Sequence, residues 1–216
     1  MNKGIIMTLI KGCDYLSFKT AERNIKKIRP LLIRREGITL STNPKGVDLI
    51  SDNISITKNI GFHGAIKNLE KWHDSTQADF SFLKKEEALI VESWWWNVPI
   101  KCKWIITAKS RSIIWSTILM VENCITIEEI KAGLIISESY NNFFLNENNL
   151  AVSANSSLLN IPSLKFEVIE SLYPCKTIAG NLNTHNNNGL LQVVIEDELE
   201  FESGEYKLFK LEITVT

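Results

Sequence analysis

Three histidines, a run of three tryptophans and scattered carboxylates are the residues of this sequence best suited to chemistry. His63, His73 and His185 titrate near neutral pH and can serve as acid or base. His73 is followed by Asp74, a carboxylate able to orient an imidazole, although adjacent side chains often diverge. His63 and His73 reach each other only if the segment between them is helical or folds back. In an acid–base reaction His73 is the expected proton carrier, Asp74 or Glu92 its partner, and His63 a rim residue. His185 falls in residues 183–189, a polar stretch that reads as an exposed loop. No two histidines have the spacing of helical metal ligands, so no metal site is expected. Phosphate loop, nucleophile elbow and kinase signature are all absent from the sequence, so no nucleotide or other cofactor is expected. The acidic run at 196–202 reads as a solvated hairpin and lacks the spacing of a calcium loop.

Trp94-Trp95-Trp96 is the most unusual feature. Consecutive strand residues point to opposite faces, so three neighbouring indoles cannot all enter one core. At least one should lie at a surface, cleft or interface. Flat aromatic rings pack against the C–H faces of sugars, and exposed aromatics anchor ligands. Trp94, Trp95 and Trp96, with Trp104 and Trp115 in the strands that follow, are therefore the expected ligand-binding residues.

These residues need elements to hold them. Residues 98–107 and 112–121 are rich in Ile, Val and Trp and flank Lys109-Ser110-Arg111, which is a hairpin signal. In the first of these strands Ile100, Cys102, Trp104 and Ile106 share a face; the return strand is apolar on both faces. Asn43-Pro44-Lys45-Gly46 is a strong turn between short strands at 37–40 and 47–50. Further strands are expected at 5–10, 15–18, 31–33, 54–57, 80–82, 151–154, 164–169, 190–195 and 206–215. Residues 20–29 are the best helix candidate, closed by Pro30. Residues 61–73 carry Phe62, Ile66, Leu69 and His73 on one face if helical. Thr126-Ile127-Glu128-Glu129 fits a capping box or a strand; Gly133 and Ile135-Ile136 favour the strand.

The chain has 216 residues, 44% hydrophobic, enough for a sizeable core in one domain spanning 1–216. A formal net charge of -1 with interspersed signs offers no basic block for nucleic acid or an anionic membrane. The apolar run at 5–10 is short for a signal peptide, lacks a cleavage site, and reads as a strand. No apolar run reaches about 18 residues, the length of a transmembrane helix. Cys13, Cys102, Cys124 and Cys175 form no close pair and are expected as buried free thiols of a cytoplasmic protein.

The order of features resembles the galactose-mutarotase-like β-supersandwich of many carbohydrate-active proteins. Trp104 and Trp115 strands, Ile125-Thr126-Ile127, residues 134–140, Leu190-Leu191-Gln192-Val193 and residues 202–206 carry the likeness, over the last half of the chain. The histidine and acidic residues of mutarotases match no motif here, and no catalytic residue is carried over. The resemblance implies a carbohydrate ligand.

The expected fold is mostly β, an antiparallel sandwich or strongly curved sheet with one or two short helices. The expected function is carbohydrate interaction on an aromatic platform, with cofactor-free acid–base chemistry on a sugar-like substrate if the protein is an enzyme. Two other uses of the tryptophans stay open. They enclose an apolar pocket of a small-molecule isomerase or cyclase, or they form the interface of a homo-oligomer.

Overall fold

Alternating apolar and polar residues build strand after strand, and the computed structural model describes residues 30–181 and 188–216 of the chain. The strands are β1 (Leu32–Arg35), β2 (Ile38–Asn43), β3 (Gly46–Ser51), β4 (Ile54–Ser55), β5 (Thr57–Asn68), β6 (Lys71–Asp74) and β7 (Asp79–Lys85). Next come β8 (Ala88–Trp94), β9 (Ile100–Ala108), β10 (Ser112–Val121), β11 (Ile125–Ile127), β12 (Glu129–Ile136) and β13 (Asn142–Leu145). The rest are β14 (Ala151–Asn155), β15 (Leu164–Ser171), β16 (Lys176–Asn181), β17 (Gly189–Ile195), β18 (Leu199–Phe201) and β19 (Gly204–Val215).

Two sheets hold most of them. The first has the order β1-β2-β3-β5-β12-β17-β16, with β4 on β3 and β6 on β5. The second runs β13-β14-β15-β19-β10-β9-β8-β7, and β11-β18 is a separate ribbon. Pairing is antiparallel except between β3 and β5, which meet in parallel at Val47 and Gly61. A side chain on Gly61 would run into the Val47 carbonyl, and one on Gly46 into that of Ile60. Gly61 also sits at φ 67°, where only glycine is comfortable. The chain is thus a mostly β, antiparallel sandwich, and no helix occurs among the described residues.

The hairpin at 98–121 forms as β9 and β10, paired from Ile113↔Ala108 to Val121↔Ile100, with Arg111 at φ 53° in its turn. No helix forms at residues 126–129: Thr126 and Ile127 belong to β11, Glu128 is a bend, and Glu129 opens β12, in line with the strand reading that the glycine and isoleucines downstream favoured. The helical reading of 61–73 is corrected: this is the hairpin β5–β6, closed by Leu69 and Glu70 at φ 50° and 59°. Phe62 and Ile66 are buried, but Leu69 is 79% exposed at the turn tip, so the helical spacing was accidental. The helix expected at 20–29 and the strands at 5–10 and 15–18 lie outside the described residues.

Trp104 and Trp115 fill the space between the sheets at 1% and 0% exposure, edge to face at 5.5 Å. Phe62 of the first sheet meets Trp115 at 4.9 Å, and Gly64 lies under the Trp104 ring. Cys102 is buried, and burial pushes its thiol up to about 12. The expectation of buried thiols fails at Cys124, which is exposed, and at Cys175, which is half-buried. No helix among the described residues is long and apolar enough to cross a membrane.

Candidate functional site

Strand parity separates the candidate residues. On β8, Leu89, Val91 and Ser93 turn to the core, so Glu92 and Trp94 face outward. Trp95 follows the last strand residue and is buried at 4% exposure. Trp96 is 86% exposed, and its indole N–H donates to the Asp79 carboxylate, which fixes the ring. Trp94, Trp95 and Trp96 line a cleft of ≈ 500 Å³ with Glu92, Lys101 and Glu122. Lys101 pairs with Glu122 at 2.8 Å, and that hydrogen bond raises the lysine above its ordinary range. Trp104 and Trp115, expected beside the triplet as ligand-binding residues, are corrected to core residues. They sit on the inward face of β9 and β10, where the two sheets close over them.

Parity also divides His73 from Asp74. His73 pairs with Ile66 and points inward at 7% exposure. Its ring lies 6.3 Å from that of Trp95. Burial, then Lys71, push its pKa down, and Asp74 opposes them. Asp74 faces the other way, its carboxylate taken by the backbone N–H of Thr76 at 2.8 Å and by the Thr76 hydroxyl. The expected His73–Asp74 couple does not form, because neighbours on a strand oppose.

Asp74 instead shares the outer face of the first sheet with His63. Phe62, Gly64 and Ile66 of β5 turn inward, so His63 turns outward. In register across the sheet lie His63, Gly133 of β12, Gln192 of β17 and Ile178 of β16. Gly133, in the middle of this row, is itself buried, and a side chain there would strike the Leu191 carbonyl and Gln192. Gln192 is 4% exposed, and His63 Nδ1 is buried with no hydrogen-bond partner among the described residues. Burial pushes the His63 pKa down, Asp74 pulls it up and Lys131 pushes it down again. Lys131 pairs with Glu129 at 2.7 Å and sits 3.9 Å over the Trp72 ring, which is 37% exposed. Recessed imidazole and amide, a cation, a carboxylate and a flat ring thus converge on one face. His63 and His73 are not brought together, since one points out and the other in.

The backbone path has counterparts among solved structures. It aligns with a protein named for aldose 1-epimerase activity from Escherichia coli K12 at TM-score 0.59 and 4% identity, over 87% of this chain and 98% of that one. It aligns with a galactose mutarotase related enzyme from Lactobacillus acidophilus at TM-score 0.55 and 8% identity, over 87% and 97%. The fold is galactose-mutarotase-like. A 4-α-glucanotransferase from Thermococcus litoralis also aligns, at TM-score 0.58 and 8% identity, and this chain spans 37% of its length. No family model and no curated protein sequence matches the chain. At such identities the likeness concerns the backbone path and not the side chains.

Within this mutarotase-like fold, Gln192 and Lys131 are the residues that sequence reasoning passed over. Gln192 did carry a signal: it is the one polar side chain in the apolar run 190–195. Lys131 carried none, since a single lysine beside an apolar strand is an ordinary edge residue. Among the described residues, no cluster of three or more His, Cys, Asp or Glu side chains has metal-binding geometry.

Proposed function

We propose that the protein binds a carbohydrate on the outer face of the first sheet, between His63, Gln192, Lys131 and Trp72. The observation that carries this reading is the His63–Gly133–Gln192 row, where a buried imidazole nitrogen without a partner among the described residues stands in register with the Gln192 amide across a glycine. Buried polar atoms are costly unless something bonds to them, so an unpartnered one marks a place for a ligand hydroxyl or water. The amide of Gln192 both donates and accepts, as alternating sugar hydroxyls require. Trp72 supplies an apolar face beside them. The sugar-related names of the aligned structures support a saccharide as the ligand class.

The imidazole of His63, held below its ordinary pKa, is neutral at pH 7 and accepts a proton from a ligand hydroxyl. Such a step needs no cofactor. Three unpaired thiols among the described residues support a reducing, cytoplasmic setting. The isomerase reading with an interior pocket finds less support, because Trp104 and Trp115, its proposed walls, pack on each other and on Phe62.

Saturation-transfer NMR on the full chain with glucose, galactose and maltose tests the proposal. Transfer to at least one sugar is expected, with loss in Gln192→Ala and in His63→Ala. Absence of transfer to all three, or transfer unchanged in both variants, overturns it. Polarimetry of freshly dissolved α-galactose reads the proton-transfer step.

A further inference from the structure

The outer face of the second sheet carries two clefts, and the strand register joins them. The first, ≈ 500 Å³, is the Trp94–Trp96 cleft. The second, ≈ 480 Å³, lies over Ile105, Ser116, Ile118, Glu170, Lys207 and Lys210. One cross-strand row runs from Glu92 to Lys103, Ile118 and Lys207, on β8, β9, β10 and β19 in turn. Lys103 is therefore the direct neighbour of a residue lining each cleft. At about 4.8 Å per strand the row spans roughly 14 Å, longer than one small cyclic ligand.

We infer that this face is a second binding surface, separate from the His63 face, for an extended neutral oligosaccharide running from Trp94 and Trp96 across Lys103 to Lys207 and Lys210. Charge decides the ligand class. Lys101 is paired with Glu122 at 2.8 Å, Lys210 with Glu170 at 2.7 Å, and Lys103 stands opposite Glu92. The charges largely neutralise one another, which disfavours an anionic polymer and leaves many donors and acceptors for hydroxyls. At one end Trp96 presents its ring 86% exposed, with the N–H tied to Asp79, so little rotamer freedom is lost when a ring stacks on it. Ile105, half-buried in the neighbouring Ile90–Ile105–Ser116–Lys210 row, adds apolar surface beside it, and Ile118 in the row itself is 8% exposed. A groove of paired ions and apolar patches, entered past a fixed indole, suits a chain of sugar rings that alternate C–H faces with hydroxyl edges.

Tryptophan fluorescence, titrated with glucose, maltohexaose and cellohexaose on the full chain, reads this surface. One hexasaccharide is expected to bind about tenfold or more tightly than glucose, equivalent to one added stacking contact. Trp96→Ala should abolish that gain. Lys103→Ala should lower hexasaccharide affinity and spare that of the monosaccharide. The gain of six rings over one should persist in His63→Ala even as sugar binding at the His63 face is lost, which separates this surface from the proposal above. Absence of hexasaccharide binding, or equal affinity for one ring and six, overturns the inference. So does a concentration-dependent rise in mass that Trp96→Ala removes, since the surface would then join two copies of this chain.

Discussion

The indole N–H of Trp95 donates to the backbone carbonyl of Asp74 at 2.9 Å. That bond ties the short β6 of the first sheet to the end of β8 in the second, with His73 packed against the same ring. Trp95 is thus an anchor between sheets, while its neighbours Trp94 and Trp96 stay outside. Trp95→Phe keeps most of the apolar contact and loses the bond, at an expected cost of about 1 kcal/mol. Trp95→Ala leaves a cavity as well and should cost about 3–5 kcal/mol. Urea denaturation of both variants checks the ranking; equal costs would show that the hydrogen bond contributes nothing.

Acid should weaken the fold through its two described histidines. Both His63 and His73 have folded pKa values below the ordinary 6.5, first of all because of burial. The unfolded chain then binds more protons than the folded one between the folded pKa and 6.5, so stability rises with pH across that window. The contribution is fully present above 6.5 and is lost as pH falls to the folded pKa. Urea midpoints measured from pH 7.5 to 5 should fall on acidification, and the fall should be shallower in His73→Gln. A wild-type midpoint that holds or rises over this range would contradict the assignment.

The turn at Leu69 and Glu70 stores strain that substitution can relieve. Both residues have positive φ in a two-residue hairpin loop, and neither is Gly, Asn or Asp. Leu69 is also 79% exposed, so it gives little packing in return. Leu69→Asn should raise stability by about 0.5–1 kcal/mol, because asparagine tolerates the left-handed region. Thermal melting measures the gain, and a lowered midpoint would show that Leu69 makes contacts that outweigh the strain.

That turn also explains where the sequence misled. Hairpins are legible when their loops carry the residues that positive φ prefers, and residues 69–70 do not. The β9–β10 hairpin was legible because both strands alternate or run apolar around a polar turn, and Trp104 could be grouped with Ile100, Cys102 and Ile106. What parity on one strand cannot say is which face meets the other sheet. Trp94 and Trp104 are chemically alike, yet one lies outside and the other between the sheets. The His63–Gly133–Gln192 row was invisible for a different reason. It depends on pairing β5 with β12 and β12 with β17 over long sequence separations, and no local pattern fixes that register. His63 stood out by its chemistry, and Gln192 carried only the signal of one polar residue in an apolar run; nothing local placed the two in one row.

The parallel contact of β3 and β5 sets how closely the β1–β4 edge can approach the rest of the first sheet. Val47 and Gly61 meet there, and Gly61 has both a positive φ of 67° and no room for a methyl group beside the Val47 carbonyl and the Thr57 hydroxyl. Gly61→Ala must therefore meet a backbone clash in addition to conformational strain of about 1–3 kcal/mol. Gly46→Ala meets only a clash, with the carbonyl of Ile60. Because His63 lies two residues beyond Gly61 on the same strand, a shift at the crossing should also displace its imidazole. The expected result is that Gly61→Ala destabilises more than Gly46→Ala and alters the His63 side-chain NMR signal while the protein is still folded. A Gly61→Ala protein with native stability and an unmoved His63 signal would show that the crossing has slack and that the two features are independent.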